Sequence, residues 1–290
     1  MTTITPIRET IALTYTLTAP LHHGAGSSGN TALLRTQEVV QPDGTSVQVP
    51  FVSGNSIRHG LRDALAWHLV NTVGVEDGTL TKAEVDLLWS GGAVTATGAR
   101  TNLELRRQVD GLLASLGLLG FAAQSDIHAG VLRASDLILV AQENAWRLPD
   151  ELAQSPHAGK RAGAYRSSEF GTRHDVDSTP VARLVEMTSE VVGTTQMIYD
   201  HATLKAGSKL HGELSLDPAA TSAHRTALYA ALALWVQDGT VQLGARGSHG
   251  WGTASVEGLP DTRTALMDWT DHLRAHAAEV RALITEVIGD

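Results

Sequence analysis

The feature that most constrains the fold is a strand, helix and strand succession that occurs twice along the chain. In the first half, Ile11 to Thr18 alternates apolar and polar residues with period two, which is typical of a strand with one buried face. A helix is predicted from Ser56 to about Asn71, and an apolar strand from Val131 to Val140. This order alone indicates a sheet covered by helices on one face.

The second half repeats the same succession. Leu210 to Leu216 is predicted as a strand, Ser222 to Trp235 as an alanine- and leucine-rich helix, and Thr240 to Val256 as a hairpin. The complete order, β-α-β-β-α-β, predicts the α+β fold class with a ferredoxin-like, RRM-like core. A classical RNA-recognition sheet stacks bases on aromatic residues of its central strands, and here the first strand offers only Tyr15.

Long insertions separate the predicted core elements. They span approximately residues 19–53, 72–130 and 142–207, and a last helix is expected within 259–290. Insertions of this length are usually functional or disordered segments. With 290 residues and 42% hydrophobic content, the chain can bury a substantial core, and we expect one domain over residues 1–290.

A small-residue turn leads into the first predicted helix. Ser53, Asn55 and Ser56 are helix-capping types, while Arg58 and Arg62 lie together, away from the apolar face. A helix N-terminus offers free N–H groups and the positive end of the helix dipole. The turn is therefore a predicted phosphate site.

A glycine-rich loop precedes the last predicted strand. Its sequence from Leu243 to Val256 is LGARGSHGWGTASV, with four glycines and one arginine between two strand-like runs. Glycines at near-alternating positions allow backbone bends and the close approach of a ligand or of another chain segment. We expect Arg246, Gly247, Ser248 and His249 to line the same groove as the helix turn.

Together, the two motifs resemble the RAMP superfamily, and within it the backbone subunits that coat guide RNA in class 1 CRISPR effector complexes. The resemblance rests on the pattern SGxSIRxxLR at Ser53 to Arg62 and on GxRGxxGWG at Gly244 to Gly252, and it covers most of residues 10–257. Gly130 to Asp136 is similar to the family's central strand, which ends in Ser-Asp. The segment from Arg166 to Gly193 looks like the family's thumb hairpin.

This resemblance implies a non-catalytic subunit that binds guide RNA independently of its sequence. The expected partners are the guide RNA, further copies of the chain in a filament, other effector subunits and a target nucleic acid paired with the guide. Type IV is the favoured complex. His22, Lys160, Arg161, Arg166 and Arg173 join the helix turn and the glycine loop as expected RNA-binding residues, the last four as part of the thumb or beside it.

The net charge of −9 opposes RNA binding at long range. The charges are unevenly distributed, however, because residues 157–174 carry four cationic residues against Glu169 alone, a local net of +3 with neutral histidines. The sequence therefore predicts a basic groove on an acidic surface, although solvated surface patches would show the same clusters.

Other readings of the sequence stay open. A RAMP-type endoribonuclease, acting in guide processing or in target RNA cleavage, would use His249 or His22 as a general acid or base. Target-cleaving members of the family carry an aspartate between the first strand and the first helix. Residues 19–49 contain only Glu38 and Asp43 as acids, and Arg35 lies nearer the position of that aspartate. A protein scaffold without RNA is a third reading.

Cofactors are not expected. The chain has no cysteine, and its thirteen histidines show no helical metal-ligand spacing such as HExxH. The run Gly24 to Gly29 matches GxGxxG, but it lacks the following helix that a dinucleotide-binding fold requires. We find no signal segment and no membrane-spanning run, so we expect a cytoplasmic protein with no membrane partner.

Overall fold

The computed structural model describes residues 9–94, 102–123, 126–173 and 197–289. Its strands are β1 (Thr10–Leu17), β2 (Gly24–Ser28), β3 (Thr31–Leu34), β4 (Thr36–Val40), β5 (Ser46–Val52), β6 (Phe121–Ala123), β7 (Asp126–His128), β8 (Leu132–Ala134), β9 (Leu137–Leu139), β10 (Arg166–Arg173), β11 (Met197–Leu204), β12 (Lys209–Leu216), β13 (Thr240–Gln242) and β14 (Thr253–Glu257). Its α-helices are α1 (Gly54–Thr72), α2 (Lys82–Ser90), α3 (Leu103–Leu112), α4 (Ala114–Leu119), α5 (Asp150–Ala153), α6 (Ser222–Trp235), α7 (Arg263–Ala275) and α8 (Ala277–Ile288).

The central sheet has the strand order β13-β14-β1-β12-β9-β5-β4, with β8 also paired to β12. All of its pairs are antiparallel. The four core positions are filled by β14, β1, β12 and the β8–β9 segment, while α1 and α6 are the two crossover helices. This is the predicted ferredoxin-like α+β arrangement.

The hydrophobic core lies between this sheet and the helices. In β1, Ile11, Leu13, Tyr15 and Leu17 are buried at every second position, as the period-two pattern predicts. The ring of Tyr15 lies 6.2 Å from that of Trp235 at the end of α6. Tyr15 is therefore a core residue, and it is not available on the open face of the sheet.

A second, smaller sheet has the order β10-β11-β3-β2. β10 and β11 form an antiparallel hairpin, and β11 then pairs with β3 in parallel. The predicted insertions after the first strand and before β12 therefore meet in one sheet. The run Gly24 to Gly29 contributes β2 and turns into β3, so it does not open a helix.

Two elements differ from the sequence prediction. The strand expected from Val131 to Val140 is divided into β8 and β9, because its register against β12 shifts by one residue between Ala134↔Leu214 and Ile138↔His211. At this shift the side chain of Ser135 accepts a hydrogen bond from the N–H of Glu213. The single helix expected within 259–290 is two helices that break at His276. Trp269 and Leu273 of α7 are buried, as are Val280 and Leu283 of α8, so this segment docks on the chain's own body.

Candidate nucleic-acid interface

The glycine loop, Gly244 to Gly252, is held against the chain segment that follows β1. The N–H of Ala245 donates to the carbonyl of His22 at 2.9 Å, and the N–H of Gly252 donates to the carbonyl of Pro20 at 2.7 Å. A Cβ at Gly252 would lie 1.9 Å from the carbonyl oxygen of Leu243, and the φ of +78° also disfavours a side chain there. This position therefore requires glycine.

Arg246 projects from this loop into a group of aromatic rings. Its guanidinium carbon lies 5.6 Å from the ring centre of Tyr199 and 5.7 Å from that of Trp251. Both distances are within the range of cation–π attraction. His201 completes the group below them, with ring centres 5.2 Å from Tyr199, 5.6 Å from Trp251 and 5.3 Å from His22. We call these five residues the Arg246 cluster.

The backbone of Arg246 is in the left-handed region, with φ of +66°. For a residue other than glycine, this conformation costs about 1 kcal/mol or more, and such strain persists where the surrounding structure enforces it. The guanidinium forms neither a salt bridge nor a hydrogen bond with another described residue. No described group therefore occupies its donors.

His201 and His22 form the buried floor of the cluster, with exposed fractions of 4% and 6%. His22 donates from Nδ1 to the carbonyl of Ala202 at 2.7 Å. Burial lowers the pKa of His201 below its ordinary value, and the charge of Arg246 lowers it further. His201 is therefore neutral at pH 7, and Arg246 supplies the positive charge of the cluster.

The helix turn at Ser53 lies on the other side of the His22–His23 pair. The N–H of Ser53 donates to Nε2 of His23 at 3.2 Å, while His22 pairs with the glycine loop. The structure thus brings the two sequence motifs to opposite sides of one dipeptide. Arg35 is exposed, and its charge contributes to lowering the pKa of His23, after the larger effect of burial.

The N-terminus of α1 is already partly capped by protein groups. Ser53 Oγ accepts from the N–H of Ser56 at 3.3 Å, and Asp136 Oδ1 accepts from the N–H of Gly54 at 2.9 Å. A Cβ at Gly54 would lie 2.3 Å from the carbonyl oxygen of Ala134, so this glycine allows the helix to approach β8. Asn55 is exposed and Ser56 is half-buried. The carboxylate of Asp136 reduces the attraction of this turn for a phosphate.

Arg58 and Arg62 have a structural role that the sequence prediction did not include. Arg58 donates to the carbonyls of Leu119 and Leu132, and Arg62 donates to those of Leu119 and Gly120, the latter at 2.7 Å. Burial, with a smaller effect of Arg58, lowers the pKa of Arg62 to about 10. Both guanidinium groups bond to carbonyls at the end of α4, and their contact with a phosphate stays a prediction.

The cations predicted for the thumb region lie in different places. Lys160 and Arg161 are exposed on the segment between α5 and β10. Arg166 begins β10 and donates to the carbonyl of Gln48 at 2.8 Å. Arg173 ends β10 and pairs with Met197, but its side chain lies outside the description, as do residues 174–196. The predicted thumb residues between β10 and β11 therefore stay predictions.

The groups considered for catalysis are also placed by the structure. Gly247 to His249 form a 3-10 turn, with Ser248 Oγ 3.2 Å from Nδ1 of His249 and both residues exposed. Glu38 is exposed on β4, and Asp43 accepts two hydrogen bonds from Thr45 in a tight turn. Among the described residues, no group of three or more histidine, aspartate or glutamate side chains is placed to hold a metal ion.

Sequence reasoning missed Tyr199, His201, His23 and Asp136 as members of this surface. The alternation of Tyr199, His201 and Thr203 along β11 does indicate a shared face. Nothing local indicates that this face meets a loop more than forty residues away, because the pairing depends on how the two sheets join.

No family model matches the chain, and neither does any curated protein. A solved structure described as a Type IV-B CRISPR Complex contains a chain that is similar in fold, with a TM-score of 0.56 and 21% sequence identity. The match covers 87% of this chain and 90% of that chain. At this identity the likeness shows the fold alone.

In the described part of the chain, no helix has the length and apolar character needed to cross a membrane.

Proposed function

We propose that this chain is an RNA-binding subunit of a class 1 CRISPR ribonucleoprotein, in which several copies coat the guide RNA and display it for pairing with a target. The two sequence motifs and the fold shared with a chain of the Type IV-B CRISPR Complex support this proposal. In this role the subunit acts with other effector subunits and has no catalytic step of its own.

The observation that carries the proposal is the Arg246 cluster. The guanidinium of Arg246 lies beside two aromatic rings and has no hydrogen-bond partner among the described residues, and we propose that its donors meet an RNA phosphate. Tyr199 and Trp251 offer the ring faces on which unpaired bases stack, at about 1–3 kcal/mol per base. The strained backbone at Arg246 is consistent with a functional position.

Binding of this kind does not depend on RNA sequence. On β1 and β14 the open face carries Thr14, Thr16 and Ser255 in place of aromatic residues, since Tyr15 faces the core. Contacts to phosphate and stacking on rings carry little base information. Sequence-independent binding suits a subunit that must coat guide RNAs with different targeting sequences.

The positive charge of the interface is local. Arg246, Arg35, Lys160 and Arg161 form no salt bridge with another described residue. The acidic residues Asp261, Asp268, Asp271 and Glu279 are carried by α7, α8 and the segment before them. We propose that these cations attract RNA and that the elements around β10 and β11 extend over it toward a neighbouring copy.

RNA binding by purified protein tests the proposal. We expect single-stranded U30 and an unrelated 30-mer to bind with affinities that agree within about threefold. For each phosphate contact, the binding constant should fall by about 0.7 log units per tenfold increase in salt concentration. Arg246→Ala and Trp251→Ala should each weaken both RNAs by roughly tenfold, because each removes about 1–3 kcal/mol of contact.

Arg263→Ala is the matched control, since Arg263 is an exposed arginine of α7, outside the Arg246 cluster. Circular dichroism establishes that all variants remain folded. A protein that binds neither RNA at 50 mM salt, or an Arg246→Ala variant with unchanged affinity, contradicts the proposed interface. Mass photometry of the mixture reports assembly, for which we expect masses that rise in steps of one protein copy with RNA length.

A further inference from the structure

A polar cavity of about 500 Å³ opens on the sheet face opposite the helices, beside the N-terminus of α1. This volume is within the range of small-molecule sites. The cavity has polar side chains from different elements: Gln37 of β4, Asp136 of the β8–β9 link, Arg147 of the 3-10 helix Gln142–Arg147, and His211 and Glu213 of β12. The function proposed above uses none of these five residues.

Several of these polar groups are held in place by protein contacts that leave one side of each group unused. Asp136 is fixed by the N–H of Gly54, which bonds to Oδ1 alone. Arg147 is fixed by Asn144 Oδ1, which accepts hydrogen bonds from Nε at 3.0 Å and from Nη2 at 2.6 Å. Nη1 of Arg147 has no hydrogen bond to another described residue. His211 is only 7% exposed, and its Nδ1 lies 3.2 Å from Thr14 Oγ1, so that Nε2 is left.

Gln37 supplies a buried donor on the cavity wall. Its Nε2 is buried and has no hydrogen-bond partner among the described residues. A buried amide without a partner is uncommon in native structures and requires an explanation, such as a missing water or ligand. A rotation of the Gln37 side chain toward the cavity would bring this amide to a ligand that offers an acceptor.

The lining restricts the chemistry of the ligand. A free phosphate is disfavoured because Asp136 and Glu213 are both acids, whereas a metal ion is disfavoured by the guanidinium of Arg147 in the same cavity. Ile138, Leu148 and Pro149 form an apolar part of the wall. The cavity therefore suits a neutral, flat group with donors on one edge, acceptors on another and apolar faces.

We propose that this cavity binds a nucleobase and prefers guanine. The Asp136 carboxylate is an acceptor that complements the adjacent N1–H and N2–H groups of guanine, whereas adenine, cytosine and uracil do not present this pair of donors. Arg147 and Gln37 donate to the acceptor edge formed by O6 and N7. Burial lowers the pKa of Arg147, and the charge of Asp136 opposes this effect.

The inference goes beyond the proposed function, since that function is independent of sequence and a guanine pocket adds a base preference at one position. The base has two possible sources, a free nucleotide or a nucleotide within bound RNA. The first arm of the test measures the affinity of the full-length protein for GMP, IMP, AMP, CMP and UMP by calorimetry. We expect GMP to bind about tenfold or more tightly than AMP, CMP or UMP.

IMP should be intermediate, because it keeps N1–H and lacks the N2 amino group. Asp136→Asn should remove the preference for GMP, since the amide keeps an oxygen for Gly54 and loses the carboxylate. Glu257→Gln, an exposed acid of β14 in the same sheet, is the matched control and should bind GMP as the unchanged protein does. If Asp136→Asn does not fold, Gln37→Leu replaces it: this change removes an unpartnered amide, so we expect it to fold and to bind GMP several-fold more weakly.

The second arm compares U20 with U20 carrying one central guanosine or one inosine. A guanosine advantage without GMP binding supports the pocket and identifies RNA as the source. Equal binding of all free nucleotides, or none, together with no guanosine advantage, overturns the inference. If U20 binds, guanosine adds nothing and GMP is not selected, only the pocket fails. If GMP is selected and neither RNA binds, only the proposed function fails.

Discussion

Replacing Arg62 by methionine tests the structural role that the fold assigns to this helix-turn arginine. Arg62 donates to the carbonyls of Leu119 and Gly120, at 3.2 and 2.7 Å, where α4 ends. The last carbonyls of a helix have no partner within the helix. Although burial lowers its pKa to about 10, the side chain is still protonated at neutral pH. Methionine keeps the apolar stem and removes both bonds.

The expected loss of stability follows from these contacts. A hydrogen bond from a charged donor contributes about 1.5–3 kcal/mol. The carbonyl of Leu119 keeps its bond from Arg58, so only the carbonyl of Gly120 loses a partner outright. Removing a buried cation and its unpartnered Nη1 offsets part of the loss. We therefore expect the free energy of unfolding to fall by about 2–4 kcal/mol, which lowers Tm by roughly 4–12 °C.

Urea and thermal unfolding measure this loss, and U30 binding is measured on the folded fraction. Arg263→Met is the control, since Arg263 is exposed and forms no salt bridge or side-chain hydrogen bond with another described residue. We expect the control to change stability by less than about 0.5 kcal/mol. The reasoning is refuted if Arg62→Met leaves stability unchanged and weakens U30 binding tenfold, because the side chain would then be a phosphate ligand.

Three other predictions concern the glycine loop, the buried histidines and cleavage. Gly252→Ala should prevent stable folding, because its Cβ would overlap a backbone carbonyl, whereas Gly26→Ala, with a positive φ and open space, should cost only about 1–2 kcal/mol in unfolding experiments. Burial, and then neighbouring charge, lowers the pKa of His201 from 6.5, so the unfolded chain takes up the proton first and stability is lost as pH falls below 6.5. His201→Gln should reduce this loss of stability, by at most about 1.4 kcal/mol per pH unit, as measured by urea unfolding at pH 7 and pH 5. If the free energy of unfolding falls equally with pH in the variant, other groups cause the loss. The assembled complex should not cut complementary RNA in magnesium or manganese on a denaturing gel; regularly spaced fragments that vanish in Glu38→Gln or Asp43→Asn would instead identify a nuclease.

The elements of the core could be predicted because their signals are local. The buried face of β1 follows from its alternation of apolar and polar residues, and that of α1 from the spacing of Ile57, Leu61 and Leu65. These patterns indicate the buried face without knowledge of the element that packs against it. Breaks within elements were not predicted. The turn at Ser135 depends on a hydrogen bond to Glu213, which is seventy-eight residues away, and no local residue marks it.

The conformation of the glycine loop could be predicted for the same reason. The glycine spacing predicted a bent backbone, and Gly244, Gly250 and Gly252 do have positive φ, which favours glycine. The binding role of the loop and of Arg246 stays a prediction. The rings beside Arg246 were not predicted, because Tyr199 and His201 reach it through the joining of two insertions in one sheet. Because Arg62 lies off the apolar face of α1, the sequence predicted an exposed side chain. The carbonyls to which it bonds lie at the end of a different helix, α4.

The sequence by itself determined the order of strands and helices, the buried face of each core element and the bend of the glycine loop. Each of these depends on a residue's own conformational preference or on neighbours within a few positions. Only the tertiary structure decided which groups each arginine meets: Arg246 lies beside two rings and bonds to no other described residue, while Arg58 and Arg62 bond to carbonyls. A guanidinium has the same charge in both settings, and what differs is the set of acceptors that the fold brings within about 3 Å of it.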